Sequence, residues 1–147
     1  MPVHLYIDAD ACPVKDEAIR VATRYGVNVT LVSNQGMRPI RAIHITQVVV
    51  GAKFDEADDW IAEHISANDI VVTADIKLAA RCIDKQARAL KPNGHVFTAQ
   101  NIGAALAMRD LSAHLRETGE SKGHNPSFTA KDRSAFLQAL DKLIQKS

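Results

Sequence analysis

The feature that most limits how this chain can fold is a sudden change of periodicity near its start. A short, largely apolar block, Val3 to Ile7, breaks off at Asp8-Ala9-Asp10-Ala11-Cys12 and Pro13. Beyond it Val14, Ala18, Val21, Ala22 and Tyr25 recur at helical spacing as far as Gly26, a natural helix stop. Pro13 suits a helix start, where its missing N–H is harmless. A buried strand that runs straight into an amphipathic helix predicts a βα unit. The same form returns at Ile70 to Thr73, entered through Asn68-Asp69 and followed by Asp75 and a stripe of Leu78, Ala79, Cys82 and Ile83.

The intervening and following segments fit that plan. Val27 to Ser33 alternates as a second strand, and a polar loop with Asn34, Gly36 and Pro39 leads to a third at Ile45 to Val50. Asp55 to Ile65 reads as a helix through Ala57, Ile61 and Ile65. Pro92-Asn93-Gly94 is a turn between two short strands, Ala89-Leu90 and His95 to Thr98. A helix from Gln100 to Glu117 is followed by a polar loop over residues 118–128. Thr129 to Asp132 then resembles a capping box, with Asp in place of Glu, ahead of a helix that turns Phe136, Leu140, Leu143 and Ile144 inward. Alternating strands and helices predict an α/β protein, a three-layer sandwich with a mostly parallel central sheet. At 147 residues it is expected to be a single domain over 1–147.

In such sheets ligands bind beyond the carboxyl ends of the strands, where strand order reverses. Asp8, Asp10 and Asp75 all fall at strand carboxyl ends. Two carboxylates as near as Asp8 and Asp10 are costly to hold together unless a cation or a shared proton offsets them. A hard divalent ion, Mg2+ or Mn2+, wants such oxygens. A helix cap explains one of the two acids but not both. Asp75 also suits a helix N-terminus, where an acid is favoured by the dipole. Asp55, Asp58 and Asp59 crowd the first turns of one helix, and Asp58 or Asp59 is expected to reach the site; Asp55 and Glu56 read as ordinary N-terminal acids.

Charge distribution adds to this. The formal net charge is +1, but residues 51–80 hold seven acids against two bases, whereas residues 81–147 hold eleven bases against six acids. That contrast suits either an acidic metal site whose substrate carries phosphates or simple solvated helix faces. Asn34 (with Gln35 and Arg38), Arg109 and Arg133 (with Arg116 and Lys131) are candidate substrate contacts. Cys12 sits near a helix start, yet its carboxylate neighbours should keep the thiol protonated. With aromatic residues at 5%, a base-stacking platform is not expected. No basic leader and no apolar run of membrane-spanning length is visible, and two cysteines make no disulfide framework, so a cytoplasmic setting is expected.

The block Asp8-Ala9-Asp10-Ala11-Cys12-Pro13 closely resembles the YaiI/YqxD family of uncharacterised bacterial proteins. Leu31-Val32-Ser33-Asn34-Gln35, Phe54-Asp55-Glu56-Ala57-Asp58-Asp59 and Asp69-Ile70-Val71-Val72-Thr73-Ala74-Asp75-Ile76 with Leu78-Ala79-Ala80 continue the match. So do Asn101-Ile102, Met108-Arg109-Asp110 and Asp132-Arg133 with Phe136. The family is in turn similar to the PIN-like fold, whose nucleases gather acids at strand ends around magnesium or manganese. The resemblance implies a PIN-like domain with Asp8 and Asp75 facing a metal, Asp10 close by, and Asp58 or Asp59 as the helical acid. It departs from toxin-type PIN sites in its Asp-Ala-Asp pair and its cluster of Asp where a helical Glu is usual.

The function expected is therefore a divalent-metal-dependent phosphodiesterase, with RNA or another phosphate-bearing molecule as substrate and no membrane partner. Asp8, Asp10 and Asp75 would be catalytic. One alternative is an Asp-x-Asp phosphohydrolase with Asp8 as nucleophile, which also requires a Ser/Thr and a Lys at later strand ends. Another is a non-catalytic domain that binds RNA or protein.

Overall fold

A computed structural model describes residues 3–10, 12–51, 53, 55–117 and 128–146. The described elements run β1 (His4–Asp8), α1 (Lys15–Tyr25), β2 (Asn28–Ser33), β3 (Ile45–Val49), α2 (Glu56–His64), β4 (Ile70–Val72), α3 (Ile76–Asp84), β5 (Arg88–Leu90), β6 (Val96–Phe97), α4 (Ile102–Glu117) and α5 (Ala130–Gln145). The loop expected over 118–128 lies, apart from Phe128, outside the described residues.

The six strands form one sheet in the order β3-β2-β1-β4-β5-β6. All pairings are parallel except β5 with β6, which is antiparallel across the Pro92-Asn93-Gly94 turn. The chain thus builds outward from β1 in one direction, returns, and builds outward from β4 in the other. The reversal lies between β1 and β4, adjacent strands with Ile7 opposite Val72. Asp8 and Thr73 are the next residues of each, so they meet at the carboxyl edge.

Both faces of the sheet are covered, which is why its central strands are apolar on both sides. Leu5 and Ile7 point toward α1 and α5, packing with Val21, Ala22, Phe136 and Leu140. Tyr6, between them, points the other way, toward α2 and α3, and packs with Ile61, Leu78 and Cys82. The result is the expected three layers.

Helix ends follow local chemistry. Gly26 takes the left-handed conformation (φ 68°) that closes α1, with Val27 N–H donating to Ala22 O at 2.9 Å. Gly94 combines φ 92° with a close approach to α5: a Cβ there would stand 2.6 Å from the Ala135 carbonyl carbon. Thr129 and Asp132 form the reciprocal capping box, Asp132 N–H to Thr129 Oγ1 at 3.1 Å and Thr129 N–H to Asp132 Oδ2 at 3.0 Å. Among the described residues, no helix is long and apolar enough to cross a membrane.

Candidate metal centre

Beyond the carboxyl ends of β1 and β4 lies a cleft of about 190 Å³ lined by Asp8, Asp10, Asn34, Asp55, Ala57, Asp58 and Asp75. Five of these seven residues are aspartates and none is a cation. Each acid arrives by a different route. Asp8 ends β1, Asp10 follows in the turn, and Asp75 opens α3. Asp58 lies on the first turn of α2, and Asp55 precedes that helix with a left-handed backbone (φ 73°).

Hydrogen bonds fix these carboxylates individually. Asp8 Oδ2 accepts from the Thr73 hydroxyl at 3.0 Å, and that hydroxyl in turn accepts from the Asp75 N–H at 3.0 Å. Asp75 Oδ1 accepts from the Lys77 and Leu78 N–H groups at 2.9 and 3.4 Å, so Asp75 both caps α3 and lines the cleft. Asp10 accepts from the Ser33 hydroxyl at 2.5 Å and from the Asn34 N–H at 2.9 Å. Neither Asp8 nor Asp10 caps α1, whose N-cap is Val14 with no side-chain cap bond.

Crowded acids in a partly buried space cannot all ionise at their usual pH. Burial, above all, raises Asp8 to about 6; the Thr73 hydrogen bond opposes this, and the charges of Asp10 and Asp75 add to it. Asp58 rises to about 7, first through burial, then through a hydrogen bond to the Asp75 carboxylate and the charges of Asp75, Asp8 and Asp55. Near neutral pH Asp58 is therefore the acid that still carries a proton part of the time. Burial likewise pushes the Cys12 thiol up to about 11, with Asp8 contributing in the same direction.

Several expected site residues stand elsewhere. Asp59 does not line the cleft; its carboxylate pairs with Arg81 at 2.7 Å on the surface of α2 and α3. Arg109 on α4 lies 3.8 Å from the adjacent Asp110, and Arg133 on α5 stacks over Phe128 at 5.6 Å from the ring centre. Neither arginine lines the cleft; α4 packs against α3, and α5 against α1 and β5. Asn34 does line it, and its Oδ1 is buried with no hydrogen-bond partner. Asp55, read from sequence as an ordinary N-terminal acid, lines it too. The left-handed residue before α2 turns it there, and nothing in the sequence marks that conformation.

The family-model comparison matches residues 6–146 to the "Uncharacterized BCR, YaiI/YqxD family". The chain belongs to this family. It is 57% identical over 142 residues to a UPF0178 protein of Agrobacterium fabrum, covering 97% of this chain and 93% of that one. A UPF0178 protein of Rhizobium meliloti is 58% identical over 142 residues, covering 97% of each, and one of Parvibaculum lavamentivorans is 57% identical over 141, covering 96% and 93%. No solved structure matches significantly. The YaiI/YqxD match spans β1 through α5, so every residue lining the cleft falls within it.

Whether the lining suits a cation can be judged from its donors. Every polar side chain in it offers oxygen, and one of those oxygens, Asn34 Oδ1, is buried without a donor. Hard divalent ions take such oxygens in mixed carboxylate and carbonyl sets. Among the described residues no three His, Cys, Asp or Glu side chains already stand in ligating arrangement. In donor type, though not in ready-made arrangement, the lining suits Mg2+ or Mn2+.

Proposed function

We infer that the cleft of this YaiI/YqxD-family protein holds Mg2+ or Mn2+ and that the protein is a metal-dependent phosphodiesterase, with RNA as its substrate class. The observation that carries this reading is a cleft whose described lining holds five aspartates and no basic residue, placed where the sheet reverses direction. A phosphodiester is anionic, and these walls would repel it. Only a cation bound among them makes the site attractive to such a substrate. When bound, that ion supplies a Lewis acid that polarises a phosphoryl oxygen and lowers the pKa of a coordinated water.

Asp8, Asp58 and Asp75 are the residues to hold it. Asp8 Oδ1 and Asp75 Oδ2 receive no described backbone N–H or hydroxyl, and Asp58 gives up its proton when a cation displaces it. Asp55 adds a further carboxylate to the cleft lining. RNA, rather than a small phosphoester, is proposed on the PIN-like character that the sequence resemblance implies.

The Asp-x-Asp phosphohydrolase alternative is less well supported. It needs a lysine at the site, and the described lining has none. It also needs a free hydroxyl, and Thr73 already donates to Asp8.

The test is manganese-dependent cleavage of a single-stranded RNA by the purified protein, compared with Asp8→Asn. Cleavage that requires the metal and disappears in the variant supports the reading. Equal cleavage by the variant overturns it.

A further inference from the structure

The two acids of β1's carboxyl end look equivalent in sequence but are held differently. Asp8 has one bonded oxygen and leaves Oδ1 without a described donor. Asp10 has both oxygens engaged: Oδ1 by the Ser33 hydroxyl at 2.5 Å and Oδ2 by the Asn34 N–H at 2.9 Å. Ser33 is itself buried at the end of β2, 3% exposed, and its oxygen accepts from the Gln35 N–H at 3.0 Å. A hydroxyl that accepts from an amide has its single proton to give, and here it goes to Asp10. The four groups make a closed turn. Asp10 and Ser33 grip the backbone on either side of Asn34, a residue of the cleft lining whose Oδ1 is buried and unpartnered.

We propose that Asp10 is not a metal ligand but a positioning residue, which with Ser33 braces the 33–35 turn so that Asn34 presents its amide oxygen to the bound cation. The proposal rests on the metal-site reading above and divides its acids into two groups. Asp8, Asp58 and Asp75 face the ion, and Asp10 acts on it through Asn34. Asn34 becomes the neutral oxygen of the donor set. The carboxylate is required at position 10 because it alone accepts from both a hydroxyl and an amide N–H. An amide there keeps one acceptor oxygen for the Asn34 N–H, and the Ser33 hydroxyl would have to turn its proton away to accept from the NH2.

A double-mutant cycle separates brace from ligand, because groups that act through one shared structure are not additive. Manganese affinity is measured by calorimetry for the full chain and for Ser33→Ala, Asp10→Asn, the double variant, Ser33→Thr and Asn34→Ala. A brace predicts losses of about tenfold in Ser33→Ala and Asp10→Asn, typical of groups that orient ligands, and a loss at least as large in Asn34→Ala, which removes the ligand itself. The double variant should lose no more than either single one, and Ser33→Thr should bind like the wild type. An Asp10→Asn loss far beyond that of Ser33→Ala, or additive losses in the double variant, overturns the proposal and makes Asp10 a ligand. Asn34→Ala with undiminished affinity overturns it as well.

Hydrogen exchange at the Asn34 backbone amide gives a readout that needs no metal. Protection in the wild type that is lost in both Ser33→Ala and Asp10→Asn supports the brace. Unchanged protection in either variant overturns it. Absence of manganese binding by the wild type itself would instead sink the metal-site reading, with the exchange result still deciding whether the brace exists.

Discussion

The carboxyl of Asp58, on the first turn of α2, hydrogen-bonds the carboxylate of Asp75, which caps α3. Burial, above all, and then this hydrogen bond raise the Asp58 carboxyl to about 7. This contact ties α2 to α3 over the end of β4 and concentrates negative charge beside Asp8. A cation that enters must displace the Asp58 proton, so metal binding and protonation compete for the same oxygens.

Asp58 and Asp59 should respond differently to substitution. Asp58→Asn removes a charge that lines the cleft and should weaken manganese binding at least tenfold, on the scale of metal-site losses. Asp59→Asn breaks only the exposed pair with Arg81 and should leave that affinity unchanged, with stability altered by less than about 1 kcal/mol. Calorimetric titration of both variants checks this.

Stability should depend on pH with a definite sign. Asp8 and Asp58 both have folded-state values above the unfolded value of 3.8, near 6 and 7. The folded protein thus binds more protons than the unfolded chain across that window, and the stabilisation they give is lost as pH rises through it. In metal-free buffer the Tm should fall between about pH 4 and pH 7 and level off above. Asp58→Asn should flatten that fall, and manganese at pH 8 should raise the wild-type Tm. Differential scanning fluorimetry across the range is sufficient.

Much of this was legible in the sequence, for physical reasons that can be named. Strand ends were visible because apolar runs stop at charged residues, and β1 and β4 each end in Asp. The choice between Asp58 and Asp59 was also present in the helix phase, though it was left open. With Ala57 and Ile61 buried, position 58 lies about 60° from Ile61 around the helix and position 59 about 160°, at 3.6 residues per turn. The brace on Asp10 and the turn of Asp55 into the cleft were not legible. The first depends on β2 lying beside β1, and the second on a left-handed backbone at a residue that is not glycine. Arg109 and Arg133 were drawn toward the site by a regional excess of bases, but sequence region does not fix which layer a helix joins.

Thr73 should carry more stability than its size suggests. It is 2% exposed, donates to Asp8 and accepts from the Asp75 N–H. Thr73→Val keeps the shape and strands both partners, which should cost about 1–3 kcal/mol. Thr73→Ser should recover most of it. Urea unfolding at constant pH measures the difference.

Cys12 and Cys82 should be unreactive while the protein is folded. Burial is the main cause that raises their thiols, to about 11 and about 12, so almost no thiolate exists near neutral pH. A disulfide exchange reagent should label neither until denaturant is added. Fast labelling of Cys12 in the native state would contradict the placement of its side chain beside Asp8.

The measurement that bears most directly on the central claim is calorimetric titration of manganese into wild type and Asp8→Asn at about pH 8, where Asp8 and Asp58 are ionised. The account predicts saturable binding by the wild type and its loss in the variant, with both proteins folded by circular dichroism. Wild-type protein that takes up no manganese, or a variant that binds it equally well, would contradict the assignment of the aspartate cleft as a metal centre.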